Sequence, residues 1–369
     1  MRVVIDASPL LIRSAGVKTY LYHWIRDLRR AAGGDAIRTF PALGPMDRLR
    51  HDRSVAGLWR TWAGLGSLAL ANYARAPLVD WAARGADIFH TTHLLRRMPR
   101  KVRLTATIHD MTCWLMPELH PAANLRADRA FGEILRRADA VMADSESTRN
   151  DAVRVLGLDP DKITVIHLGI DRAFFHVPAG AIEHVKDRYG LARPFVLSVG
   201  TIEPRKNIDT LLDAYAALAP SLHEEFELVL AGPRGWARPE TMARLRKARY
   251  LGYIPEADIA PLTAAATVFV YPSLYEGFGF PVAQAMAAGV PVVTSDVSSL
   301  PEVAGDAAVL VDPRSTAELR DALARLLLSP DLRKELASRG RVRAKQFTWE
   351  RCAAESLRFF ERLAGAAKA

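Results

Sequence analysis

Apolar and polar positions fall into short blocks along nearly the whole chain, and the blocks switch repeatedly between two periods. In the first half, β-rich runs occur at RVVIDAS (2–8), ADIFHTT (86–92), RLTATIHD (103–110), DAVMADS (139–145) and KITVIHLGI (162–170). Helical periods lie between them. A helix from about Val17 places Tyr20, Leu21, Trp24 and Leu28 at spacings of three and four, and Asn124–Ala138 has the same character. The second half repeats the theme with FVLSVG (195–200), a helix through Leu211–Leu218, FELVLAG (226–232), TVFVYPS (267–273), PVVTSD (291–296) and AAVLVD (307–312). Residues 315–362 are helical and polar-rich. Short apolar strands separated by helices predict parallel sheets covered on both faces. Two such series predict an α/β chain of two doubly wound, Rossmann-like domains. Pro178 and Gly180 interrupt the pattern in HVPAGAI (176–182), which puts the domains at 1–176 and 183–352. Such sheets bind ligands beyond the carboxyl ends of their strands, so the expected site is the cleft between the domains.

A length of 369 residues suits two domains of ordinary size. The two cysteines, Cys113 and Cys352, are far apart and lack metal-ligand spacing, which points to a reducing compartment and away from a disulfide scaffold or zinc site. The N-terminal MRVVIDASPL runs directly into a strand, so no signal peptide is expected. The longest uncharged stretch of the first half, residues 61–74, is shorter than the ~20 apolar residues of a membrane span. The expected location is the cytoplasm. Charge is uneven: residues 1–180 hold 26 Lys+Arg against 18 Asp+Glu, and the remainder 24 against 23. Basicity concentrated in one half suggests an anionic partner there, or a solvated basic surface.

Candidate chemistry gathers in the second half. In YPSLYEGFGFPVAQAMAAG (271–289), a strand end leads through Glu276, Gly277 and Gly279 into a helix opened by Pro281 and closed by Gly289. The glycines allow close backbone approach, and the helix N-terminus favours phosphate or sugar oxygens. In VGTIEPRKN (199–207), Gly200 precedes Arg205 and Lys206, with Asn207 placed to cap the next helix. Paired cations at a helix start oppose the macrodipole unless an anion joins them, and a diphosphate would serve. Asp159–Pro160–Asp161 reads as turn chemistry, and no metal or other cofactor is expected.

Together these segments resemble the family 4 retaining glycosyltransferases of the two-domain GT-B fold. The resemblance covers nearly the whole chain. Its most specific segments are GTIEPRKN, LVLAGPRGW (228–236), LGYIPEADI (251–259), the run 273–313 and FTWERCA (347–353). AGVKTYL (15–21), TIHD (107–110), ADSESTRND (143–151) and VIHLGIDRAFF (165–175) match more loosely. The resemblance implies that Glu276 contacts the donor sugar near the reacting carbon, stabilising and positioning without attacking it. It implies that Phe278, Gly279 and Phe280 offer backbone N–H groups to sugar or phosphate, and that Arg205 and Lys206 hold the diphosphate as it leaves. Tyr253 and Ile254 match the loop that receives the nucleobase, and Gly16 a glycine that lies against the donor phosphates when the domains close. His109 resembles the histidine that reaches the donor sugar; by itself it reads as a structural histidine bonded to Asp110 or backbone. The C-terminal helix, about 353–369, is expected to pack back on the N-terminal domain.

Two positions depart from the family pattern. Thr201 stands where many relatives carry an arginine after the glycine matching Gly200, leaving Arg205 to supply that charge. Gln284 stands where the family has a second acid that bonds the ribose hydroxyls.

In the first half, residues 57–103 interleave Trp59, Trp62 and Trp81 with Arg60, Arg75, Arg84, Arg96, Arg97, Arg100, Lys101 and Arg103. They suit an interfacial surface that touches anionic lipid at the inner face of the membrane, or else core tryptophans beside a solvated loop. No helix-turn-helix, RRM-type or zinc-module pattern supports a nucleic-acid partner. The leading expectation is transfer of a hexose, mannose from GDP-mannose above all, onto a glycan or polyprenyl-linked acceptor. GTIEPRKN and LAGPRGW carry the mannose preference, and a GT-B sugar-nucleotide epimerase or hydrolase is the alternative.

Overall fold

The structure, a computed structural model, describes residues 1–13, 16–33, 36–74, 76–92 and 94–365. Arg75 and residues 366–369 of the expected C-terminal helix lie outside them. Among the described residues the strands form two six-stranded parallel sheets. The first comprises β1 (Val3–Asp6), β2 (Ile37–Phe40), β3 (Ile88–Thr91), β4 (Arg103–Ile108), β5 (Ala140–Ala143) and β6 (Ile163–Val165), in the order β2-β1-β3-β4-β5-β6. The second comprises β7 (Phe195–Val199), β8 (Glu227–Ala231), β9 (Arg249–Gly252), β10 (Val268–Tyr271), β11 (Val292–Ser295) and β12 (Ala308–Val311), in the order β12-β11-β10-β7-β8-β9. Central strands such as β1, β3 and β10 are buried at every position, because helices cover both faces, and they therefore read as largely apolar runs.

Each sheet has one place where the strand order reverses. In the first it lies between β1 and β3, and in the second between β7 and β10. The segments leaving the carboxyl ends of those strands therefore diverge and open a crevice. For the second sheet they are Gly200–Asn207 and Pro272–Gly279, the two segments singled out by their chemistry.

The chain divides into two compact units, Met1–Gly169 with the segment from Thr348 on, and Ile170–Phe347. The first crossing thus precedes the expected 176–182, and the second precedes the expected 352–353. Residues 170–176 belong to the second unit because the single 3-10 turn Arg172–Phe174 buries Phe174 there, against the helices Glu256–Ala264 and Phe280–Ala288. Trp349 belongs to the first, where its indole stacks on His23 with centroids 5.4 Å apart. In that unit the C-terminal helix Trp349–Gly365 packs along α1 (Gly16–Ala32). Trp24 Nε1 donates to Ser356 Oγ at 2.9 Å, and Phe360 lies 6.2 Å from the Trp24 ring.

Candidate functional site

In the second unit, Glu276 is almost completely buried, and its carboxylate is held from several sides. Lys206 Nζ lies 2.6 Å from Oε1 and an Arg205 guanidinium nitrogen 2.7 Å from Oε2. Ser273 Oγ donates to Oε1 at 2.5 Å. The Glu276 N–H donates to Ser298 Oγ at 2.9 Å, and its carbonyl accepts from Ser299 Oγ at 2.8 Å. Arg205 also pairs with buried Glu203 at 2.7 Å and donates to the Tyr275 carbonyl. Lys206 also donates to Tyr271 Oη at 2.5 Å and lies 5.0 Å from the centre of that ring. Two half-buried cations and two buried carboxylates thus form one network.

The electrostatics follow from this packing. Burial alone would raise the Glu276 carboxyl, but Arg205 and Lys206 outweigh it and hold it down at about 2. Burial and Arg205 lower the Lys206 ammonium below its ordinary value against the opposing pull of Glu276 and Glu203. Burial, then Glu276, pushes the Tyr271 phenol well above 10, so it stays a neutral partner for the ammonium. Glu276 is a permanent anion at physiological pH.

Backbone conformation places these groups. The cations sit on a single 3-10 turn, Pro204–Lys206, directly before the helix Ile208–Ala216. Asn207 does not cap that helix with its side chain as expected. It is left-handed at φ 57°, and its amide donates to the Pro272 and Pro313 carbonyls at 3.0 and 2.6 Å. The amide nitrogen ties the ends of β10 and β12 to the cation turn, and Oδ1 accepts from Thr210 Oγ1 at 2.7 Å. Ser298 is also left-handed, at φ 55°. Among the described residues these are the non-glycine residues of positive φ, and both border the Glu276 network. Such backbone costs roughly 1–3 kcal/mol per residue and persists where surrounding structure imposes it.

The anion that joins the paired cations here is Glu276, so their pairing by itself does not require a diphosphate. Gly200 leaves room for a Cβ, whose nearest neighbours would be Tyr271 and Lys206 at 3.7 and 3.8 Å. The position that demands glycine is Gly232, at φ 142°, where a Cβ would come within 1.9 Å of the Gly200 carbonyl oxygen. Thr201 is half-buried beside Gly235. Phe278 turns its ring into the core against Phe280 and Phe347, and Gly279, at φ 95°, starts the helix Phe280–Ala288. Gln284 is half-buried on that helix, and its amide has no hydrogen-bond partner among the described residues. After β9, Tyr253 is exposed and Ile254 is buried. Sequence reasoning missed Glu203, Tyr271, Ser273 and Ser298. Ser273 alone gave a signal, three residues before the acid.

The remaining candidates belong to the first unit. His109 directly follows β4, and its Nδ1 bonds Asp144 Oδ2 at 2.8 Å, where a structural histidine is expected to meet Asp110 or backbone. Asp110 instead accepts from the N–H and hydroxyl of Thr112. Burial would lower the His109 imidazole, but the Asp144 carboxylate raises it above 6.5. The buried Nε2 has no hydrogen-bond partner among the described residues. Gly16 is exposed at the start of α1. Asp159 accepts from the Asp161 N–H at 3.0 Å and caps a single 3-10 turn.

Residues 14–174 match the family described as Glycosyltransferase Family 4, and residues 183–343 the one described as Glycosyl transferases group 1. The O-antigen chain mannosyltransferase B of Escherichia coli is 31% identical over 98% of this chain and 100% of its own length. The serotype-specific mannosyltransferase WbdA of Escherichia coli is 31% identical over 62% of this chain, which spans only 29% of that protein. Among solved structures, sucrose-phosphate synthase from Thermosynechococcus elongatus superposes with a TM-score of 0.74 at 23% identity, over 99% of this chain and 100% of that one.

Proposed function

This chain belongs to glycosyltransferase family 4 and is a nucleotide-sugar-dependent glycosyltransferase of the GT-B fold; from that premise we propose that it moves mannose from GDP-mannose, with retention of configuration, onto a glycan or polyprenyl-linked acceptor in envelope polysaccharide synthesis. The observation that carries the donor site is the buried, permanently ionised Glu276, clamped by Arg205 and Lys206 at the switch point of the second sheet. Likeness to the Escherichia coli enzyme along the whole chain supports mannose as the sugar.

In this reading the donor diphosphate competes with Glu276 for the two cations. The carboxylate, released in part, then faces the sugar. The bond from the anomeric carbon to the diphosphate oxygen breaks, and the acceptor hydroxyl bonds that carbon from the same face. The hydroxyl proton passes to the departing diphosphate oxygen. Arg205 and Lys206 take up the negative charge that develops on the nucleoside diphosphate, and Glu276 answers the positive charge that develops on the sugar. The cationic role is assigned to these side chains and not to a metal.

Gln284, with its unpartnered amide, is placed in this proposal at the ribose. Titration calorimetry should show GDP-mannose binding more tightly than UDP-glucose or UDP-galactose. The Gln284→Glu variant should bind GDP about 1 kcal/mol more tightly, the net worth of a single hydrogen bond, because a carboxylate accepts from both ribose hydroxyls. Weaker binding by that variant would remove Gln284 from the ribose contact. Equal affinity for all donors would remove the preference for GDP-mannose.

A further inference from the structure

The helix α2 (Leu58–Tyr73) inverts the usual amphipathic arrangement. Its buried positions are Gly64 and Ala71, whereas Trp59, Trp62 and Tyr73 are 73%, 69% and 71% exposed. Leu58 and Leu70 are exposed with them. The small side is pressed against the turn Ser8–Leu11, where a Cβ on Gly64 would come within 2.6 Å of the Leu11 side chain. The rings therefore cannot be turned inward. At the helical period, Trp59, Trp62, Gly66, Leu70 and Tyr73 share one outward stripe, and the charged residue of this helix, Arg60, lies off it. An exposed, uncharged aromatic stripe of this length marks an interaction surface.

The basic run beside it is tied to the helix and is not a free loop. Asn72 Oδ1 accepts from the Arg96 N–H at 2.9 Å, and its amide donates to the Leu94 carbonyl at 3.3 Å. Asp80, on α3 (Leu78–Ala82), accepts from the Arg100 N–H at 3.0 Å. The Arg96 guanidinium lies 5.2 Å from the centre of the Tyr73 ring. Arg84, Arg96, Arg97, Arg100 and Lys101 line a cavity of about 1290 Å³ together with Trp81, whose indole is 68% exposed. Cations are thus fixed at one end of the aromatic stripe.

We propose that the outward stripe of α2, with the basic segment 96–101 held beside it, docks this protein on a bilayer surface rich in anionic phospholipid. Indole and phenol rings have apolar bodies and polar edges, which suits the boundary between headgroups and acyl chains. The fixed cations complement lipid phosphates, and the first 180 residues carry 26 basic against 18 acidic side chains. Among the described residues no helix is long and apolar enough to cross a membrane, so contact through this face is peripheral. All of these residues belong to the first unit, and docking does not depend on which donor the second unit takes.

The test is co-sedimentation of the full chain with vesicles of phosphatidylcholine, alone or with about a third phosphatidylglycerol, at low and high salt. The wild type should partition at least about tenfold more strongly to the anionic vesicles, and salt should reduce this. Two surface variants separate the contributions, with circular dichroism to show that each is folded. Trp59→Ser with Trp62→Ser should lower the partition coefficient at least about tenfold. Exchange of Arg96, Arg97, Arg100 and Lys101 for glutamine should lower it as much and abolish the preference for phosphatidylglycerol. Unchanged partition in either folded variant would overturn the proposal. So would self-association in sedimentation velocity that disappears in the tryptophan variant while no vesicle binding is seen, since the stripe would then join two copies of the chain.

Discussion

Replacing Glu276 by glutamine is expected to slow transfer by roughly 10²–10³-fold, the scale at which one preorganised electrostatic group contributes to a transition state. The amide keeps the shape of the side chain but cannot answer positive charge developing on the sugar. Binding of GDP should not weaken, because the variant removes the anion that competes for Arg205 and Lys206. Stability should fall, toward the lower end of the roughly 3–5 kcal/mol that loss of one member of a buried ion pair costs, since Glu203 still answers Arg205. GDP should restore much of that loss by supplying a replacement anion. The pH dependence has a definite sign. The folded carboxyl is depressed to about 2 from an ordinary 4.5, so its contribution is complete above 4.5 and fades as pH falls toward 2. Steady-state rates and thermal unfolding with and without GDP are the measurements. A variant that keeps most of its turnover, or that binds GDP tenfold more weakly, contradicts the assignment.

Lys206→Ala should behave differently, weakening binding and turnover together. The ammonium meets Glu276 and Tyr271 in the free protein and is proposed to meet the diphosphate both before and during its departure. Losing a charged hydrogen bond costs about 1.5–3 kcal/mol, or roughly 10- to 150-fold in affinity for GDP. Glu276 retains Arg205 and Ser273 in this variant, so its carboxylate stays ionised and the fold survives. Calorimetry with GDP decides the matter. Unchanged affinity would mean that Lys206 serves only to hold Glu276.

The fold was legible because its central strands are buried on both faces and leave apolar runs that helical periods separate. The two strands that escaped notice, β2 and β9, are both sheet edges. IRTF and RYLG are short, carry arginine and lack the continuous apolar character of a central strand. The segments around Glu276 and Arg205 were legible because glycine, proline and paired cations at strand ends have few other uses. Their partners were not. Glu203 reads as a polar residue of a turn, and only three dimensions show it pinned under Arg205. Asn207 looked like a cap, since the choice between capping a helix and bridging strands β10 and β12 depends on a backbone angle that composition does not encode. The tryptophans of α2 left two readings open, because a helix with large residues on one side and small ones on the other does not reveal which side is covered. Contact of Gly64 with Leu11 decides for the small side.

The most direct measurement of the central claim is a time course, by nuclear magnetic resonance, of the purified chain with GDP-mannose, in the presence and absence of a mannosylated or polyprenyl-linked acceptor. GDP should be released only with acceptor present, and the new linkage should keep the axial α configuration of the donor. Consumption of GDP-mannose at the same rate without acceptor would identify an epimerase or hydrolase, and a β-linked product would contradict retention.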